Sequence, residues 1–126
     1  MTALELAERL TILYDSLGPL PTNDAPEIKM DIDYCNQWLV ESARLVGEAQ
    51  ALYDRERGEA AEVLAGRDDL SASMQRLVID GKASENKRLL VQADRLNAAL
   101  THRINSGLTL LSFEKQALIQ SRMGSG

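Results

Sequence analysis

The side chains able to do chemistry are few. His102 is the one histidine and Cys35 the one cysteine among 126 residues, so a single chain can build neither a disulfide framework nor a zinc cluster. His102, next to Arg103 on a helical pattern, reads as a solvated surface residue. Cys35 falls on an apolar stripe, where a thiol acts as a small hydrophobe, and no flanking Lys or Arg would lower its pKa. Carboxylates cluster at Asp31 and Asp33 and again at Asp54, Glu56, Glu59 and Glu62. Glu59 and Glu62 have a spacing that could share a metal, but the paired Glu-x-x-His pattern of di-iron bundles is missing, and a solvated helix face is the better reading. No Gly-rich phosphate loop occurs. No catalytic residue, metal site or cofactor is therefore expected.

One cationic cluster remains, formed by Arg76, Lys82, Lys87 and Arg88 around the start of the last helix. With the free amides and positive dipole end of that helix, it could hold a phosphate or another anion. The competing reading is that the cluster complements acidic residues between Asp54 and Glu62, or those of another subunit.

The elements that must position these groups are helical. From Ser84 to Arg122, apolar residues recur at the three-and-four spacing of one helical face, and no Pro interrupts a rod of about 55 Å. Ser84 is its expected N-cap. A second long helix is expected over 25–65, opened by Asp24 as cap and Pro26 in the first turn. Its stripe runs through Ile28, Ile32, Cys35, Leu39, Ser42, Val46, Ala49, Tyr53, Glu56, Ala60 and Val63, with Trp38, Leu45 and Leu52 beside it. Three apolar positions per heptad make a core-facing stripe, wider than a two-stranded seam.

A shorter N-terminal helix over 3–17 starts with a capping box, Thr2 with Glu5. Leu4, Ala7, Leu10, Ile12, Leu13 and Leu17 form its apolar side, and Gly18, Pro19 and Pro21 end it. Between the rods, Asp68 or Asp69 can cap a short helix over 69–79 that Gly81 would stop; an irregular tip is the alternative. An antiparallel return then sets Val46 level with Ile104 and Tyr53 with Asn97.

The sequence thus predicts one all-α domain over 1–123, a long antiparallel, coiled-coil-like helical hairpin with a shorter helix packed on it, and a flexible tail over 124–126. The expected core and oligomer stripe comprises Trp38, Leu39, Leu45, Val46, Leu52, Tyr53, Leu96, Leu100, Ile104, Gly107, Leu111 and Leu118. Two stripes of this width leave surplus apolar surface, which a homo-oligomeric helical bundle would cover. Polar stripe residues Ser42, Glu56, Asn97, Arg103 and Glu114 are read as stripe-edge side chains reaching water along their stems, the alternative being pairs that fix an interface register. Gly107 is expected to admit a neighbouring backbone or Trp38.

Composition narrows the function further. Met1 to Ala65 holds 5 Lys and Arg against 13 Asp and Glu, a charge of −8, and the remainder, with 9 against 6, carries +3, giving the net −5. Overall acidity argues against a broad nonspecific DNA-binding surface, since such affinity comes from cations that release counterions. No stretch approaches the ~20 apolar residues of a membrane span, and Glu5 so close to Met1 does not open a signal peptide. An intracellular protein without membrane attachment is expected.

The run from Leu89 through Leu118, with Asp94, Arg95, Leu96, Asn97, Ala99, Leu100, Thr101, His102, Ile104, Leu108, Leu111, Ser112, Phe113, Glu114 and Lys115, resembles the tail of small helical bacteriophage proteins of uncharacterised function, often encoded near recombination or replication genes. The resemblance implies a phage accessory protein in the cytoplasm of a bacterial host, and it carries over no catalytic residue. The leading expectation is a non-enzymatic adaptor that self-associates and presents helical surface to a protein partner. Nucleic-acid or nucleotide binding at the basic tip is the second expectation, and an acidic inhibitor of a host protein's cationic groove the third.

Overall fold

The computed structural model describes residues 1–21 and 24–124, and among them every regular element is a helix. They are α1 (Ala3–Ser16), α2 (Ala25–Leu64), α3 (Ala72–Lys82) and α4 (Ser84–Gly124). Thr22 and Asn23 of the first loop, and residues 125 and 126 of the expected flexible tail, lie outside the described residues; Gly124 is the last residue of α4 rather than tail.

Local chemistry sets the helix ends. Thr2 and Glu5 form the expected capping box, the Glu5 amide donating to Thr2 Oγ1 at 3.1 Å and the Thr2 amide to Glu5 Oε2 at 3.4 Å. α1 closes where Gly18 takes a φ of +56°, a conformation open to a residue without Cβ. Gly66, at φ +82°, does the same just beyond α2. Three expected caps differ. Asp24 precedes α2, with Pro26 in the first turn, but its side chain makes no capping hydrogen bond. α3 is capped by Ser71, whose Oγ accepts from the Met74 amide, instead of by Asp68 or Asp69. Asp69 is engaged by Arg67, which donates to it through Nε and Nη2 at 2.8 Å each. α3 also runs through Gly81. Finally, Ser84 lies inside α4 and its hydroxyl donates back to the Gly81 carbonyl at 2.9 Å. Only Ala83 separates α3 from α4, and its carbonyl accepts from the Lys87 amide.

That near-continuity changes the register of the hairpin. The reversal occurs in residues 65–71, and α3 already belongs to the returning arm: Arg57 of α2 pairs with Asp80 of α3 at 3.6 Å. Further along, Asn86 Nδ2 donates to the Leu52 carbonyl, Asn97 to Ser42, and Gly107 lies against Ile32. This pairing sets Val46 opposite Ala93 and not Ile104, and Tyr53 near Asn86 and not Asn97. The expected alignment centred the reversal on the whole of Gly66 to Ala83, and is wrong by about three helical turns. Its consequence lies at the far end: Ala25, the first residue of α2, is level with Glu114, so α4 continues ten residues further, about 15 Å.

α1 fills the angle between the two rods. Met1 lies 3.8 Å from Glu48 and the Gly18 carbonyl meets Arg103, so α1 runs antiparallel to α2 and parallel to α4. Leu6, Leu10 and Leu13 are its buried residues, joined in one cluster with Cys35, Leu45, Ala49, Leu52, Ala93, Leu96 and Leu100. Leu4 and Ile12, placed on the apolar side by sequence, face solvent. On α2 the presence of α1 draws burial toward Leu45 and Leu52, leaving Val46 and Tyr53 half-buried; Leu64, not Val63, completes the stripe. Each fully buried Leu contributes about 1.5–3 kcal/mol relative to exposure.

Candidate functional site: one polar clamp and one uncovered helix end

The best-organised polar group joins three segments at the open end of the hairpin. Arg103 of α4 donates through Nε and Nη2 to the two carboxylate oxygens of Asp31 on α2, at 2.9 and 2.6 Å. Its Nη1 and Nη2 also donate to the carbonyls of Gly18 and Pro19, each at 3.0 Å. One guanidinium therefore fixes the α2–α4 register and the course of the first loop. Both side chains are largely buried, where a bidentate charged pair is strong. The pairing with Asp31 raises the pKa of Arg103 further. Cys35 Sγ lies 3.9 Å from Asp31 Oδ2, and burial, then the adjacent carboxylate, pushes the thiol pKa up. A protonated, buried thiol is a poor nucleophile.

A second polar pair crosses the middle of the hairpin, Asn97 Nδ2 donating to Ser42 Oγ at 3.0 Å. Among the described residues, Ser42 is the one buried polar side chain apart from the Cys35 thiol. Asn97 and Arg103, read from sequence as stripe-edge residues reaching water, are instead partnered across α2 and α4 within one chain, because the register brings an acceptor opposite each. Gly107 admits neither a backbone nor Trp38. A Cβ there would stand 2.9 Å from Ile32 Cγ1 and 3.1 Å from its Cδ1, so the glycine makes room for an isoleucine. Trp38 is half-buried and stacks on Tyr34, with ring centroids 5.9 Å apart.

The four cations of the basic tip lie on two helices, Arg76 and Lys82 on α3 and Lys87 and Arg88 on α4. Arg76, Lys82, Lys87 and Arg88 are all exposed. Arg88 pairs with Glu85 at 3.0 Å, and Lys82 lines a shallow groove with Glu56 and Glu59. The Lys87 amide, counted among the free amides of the first turn, is bonded to Ala83. Of the four, Lys82 is the one placed beside the acidic side of α2. Among the described residues no three His, Cys, Asp or Glu side chains converge as a metal site. His102 is exposed on α4.

The other distinctive region is the end of α4. Leu96 and Leu100 are fully buried and Ile104 and Leu111 half-buried, but Leu118, assigned to the same stripe, is 61% exposed. Phe113 and Met123 are 66% and 76% exposed. Their positions at about 100° per residue put apolar side chains around most of the circumference. Uncharged polar residues lie between them, Thr109, Ser112, Gln116, Gln120 and Ser121 among them. Charge is sparse over much of it: from Ile104 to Ser121 the charged residues are Glu114 and Lys115, with Arg122 next in the helix, in a chain that is 26% charged. Periodicity could place these residues on a stripe; their exposure depended on a register that heptads leave open. Depletion of charge was the sequence signal available, and it is visible from Ile104 onward.

Next to the base of this end, Pro19, Leu20, Pro21, Glu27, Met30, Asp31 and Tyr34 line an open groove between the first loop and the first turns of α2. Leu20, Met30 and Tyr34 are each at least half exposed. Among the described residues, no helix is long and apolar enough to cross a membrane. No protein-family model, curated protein or solved structure matches this chain.

Proposed function

We propose that the chain is a non-enzymatic accessory or adaptor protein, of the kind found in bacteriophages, that works in the host cytoplasm by helix-to-helix contact with protein, further copies of itself included. The observation that carries this reading is the end of α4: a charge-poor helix, apolar on most sides, that outruns the helix it packs on. Interface cores are depleted of charge in the same way, whereas a helix end selected for solvation would be rich in Lys and Glu. The body behind it supports presentation of such a surface, since the Asp31–Arg103 clamp and the Leu core tie α4 to α2 and α1 up to Gly107. Sedimentation equilibrium of the full chain tests the self-association. The expected mass at micromolar concentration is a multiple of 13.9 kDa; a single 13.9 kDa species up to ~100 μM, far above the Kd range of stable complexes, would remove self-association from the reading.

A further inference from the structure

We infer that residues 67–82, α3 with the loop before it, form a flap that lifts from α2 as one unit while α1, α2 and α4 stay packed on one another, uncovering Ala60 and Leu64. The flap lies at the closed end of the hairpin, away from the α4 end that carries the proposed self-association.

The two short helices of the fold are held very differently. α1 buries Leu6, Leu10 and Leu13 in the main cluster, and Arg103 holds the carbonyls just beyond it. α3 has no buried residue. Val78 and Ile79 are half-buried, while Met74 and Leu77 are 50 and 67% exposed. Among the described residues, the polar tie from α3 to α2 is the Arg57–Asp80 pair, 3.6 Å apart with both side chains about half exposed. Such a pair is worth little in water.

The other polar contacts of this stretch are mostly internal. Ser71 caps α3, Gln75 Nε2 donates to the Arg67 and Leu70 carbonyls at 3.1 and 3.2 Å, and Arg67 engages Asp69. A segment bonded to itself more than to its support has the make-up of a separate cooperative unit.

Its boundaries are equally defined. Gly66, at φ +82°, lies between α2 and the loop, where the Arg67 amide donates to the Leu64 carbonyl at 3.1 Å. At the other end Ala83 is wholly buried, its amide bonded back to Ile79 and its carbonyl to the Lys87 amide. Three residues on, Asn86 is anchored on the Leu52 carbonyl, so the body resumes at once. α1 starts beside Glu48 and α4 starts short of the last turns of α2. α3 and its loop are therefore what covers Ala60 and Leu64, which are 4 and 5% exposed. A helix of 11 residues is marginal in water without support, so leaving α2 and losing amide protection are one event for α3.

Native-state hydrogen exchange on the full chain reads this directly. The amides of Gln75 to Lys82 should share one opening constant, about 100-fold or more larger than that of the Leu96 and Leu100 amides. Their exchange should also depend less steeply on urea, because less surface is exposed than in global unfolding. Equal protection in α3 and in the core of α4 would mean that α3 leaves only when the whole chain unfolds. Protection that declines residue by residue from Gln75 would mean fraying. Either result overturns the inference. Ala60→Cys gives a second reading, with the buried Cys35 of the body as its internal reference. A thiol reagent should label the introduced thiol about 100-fold or more ahead of Cys35. Labelling of both at the single rate of global unfolding overturns the flap. Labelling of position 60 as fast as an unprotected thiol overturns it too, since α3 would then not cover Ala60.

Discussion

The two ends of α4's apolar stripe share one spacing and meet opposite fates. From Ala93 to Gly107 the stripe is sealed by α2 and α1, with Leu96 and Leu100 wholly buried. Beyond Gly107 the same face continues through Leu111 to Leu118, which has nothing of α2 opposite it. No change in periodicity marks the boundary. What changes is the neighbour: α2 begins at Ala25, and the polar pairs Ser42–Asn97 and Asp31–Arg103 set where that beginning falls. A hydrophobic stripe specifies which side of a helix seeks cover, while the register against its partner specifies how much of that side obtains it.

Large-to-small substitution should expose this contrast most strongly. Leu100→Ala removes a fully buried side chain from the three-helix core and should cost about 2–5 kcal/mol in urea unfolding. A loss under 1 kcal/mol would mean that the core between α1, α2 and α4 is not closed as described. Next in size is Arg103→Ala, at about 3 kcal/mol, because it leaves the Asp31 carboxylate largely buried without its counter-charge and strips donors from the Gly18 and Pro19 carbonyls. Amide exchange in the first loop should accelerate in this variant. If the loop keeps parental protection, the clamp does not hold it.

Helix existence was legible in the sequence because it depends on local signals. Thr2 and Glu5, Pro26 after Asp24, and uninterrupted three-and-four spacing over forty residues each act within a turn or two. The side chains lost to solvent were less legible. Leu4 and Ile12 satisfy an apolar pattern on α1, but that helix lies in the angle between two rods and buries the face of Leu6, Leu10 and Leu13. The register was the least legible property. Equivalent heptads align almost as well three turns apart, and contacts such as Asn97 with Ser42, Arg103 with Asp31 and Gly107 with Ile32 distinguish one alignment from another. Those contacts span 55 to 75 residues of chain, beyond the reach of any local spacing rule. The candidate interface inherited that uncertainty: its residues were on the stripe, but their exposure followed from where α2 starts.

Gly107 marks the boundary between the two regimes, and substitution there sharpens it. Gly107→Ala gains about 1 kcal/mol of helix propensity but puts a Cβ 2.9 Å from Ile32 Cγ1, and overpacking of this kind costs about 1–3 kcal/mol. A net loss of about 1 kcal/mol is expected. In an Ile32→Ala background the obstructing atoms are gone, and Gly107→Ala should become neutral or stabilising. The same penalty in both backgrounds would assign the constraint to something other than Ile32.

Cys35 gives a smaller effect, read through pH. Burial and the Asp31 carboxylate hold the folded thiol's pKa above its ordinary value, so the folded state binds this proton more tightly than the unfolded state does. The resulting stability is fully present below the ordinary thiol pKa of about 8.5 and is lost as pH rises toward the raised value. The difference in unfolding free energy between the parent and Cys35→Ala should therefore narrow above about pH 8.5. A difference that stays constant up to pH 10 would place the thiol in a more solvated setting.

Leu118→Ala is the smallest perturbation of the isolated fold and the most informative about its surroundings. The residue packs on little within its own chain, so at concentrations low enough to keep chains apart the change in unfolding free energy should stay within about 0.5 kcal/mol, as for an ordinary surface site. Association adds a term that grows with concentration, because a partner that binds the folded state stabilises it by mass action. The parent should consequently melt at a higher temperature as its concentration is raised, and Leu118→Ala should lag behind it increasingly. Leu100→Ala should instead show a deficit already at the lowest concentration. Parallel concentration dependence for parent and Leu118→Ala would mean that the uncovered end of α4 stays uncovered when chains meet, and would separate the stripe's periodicity from any role in assembly.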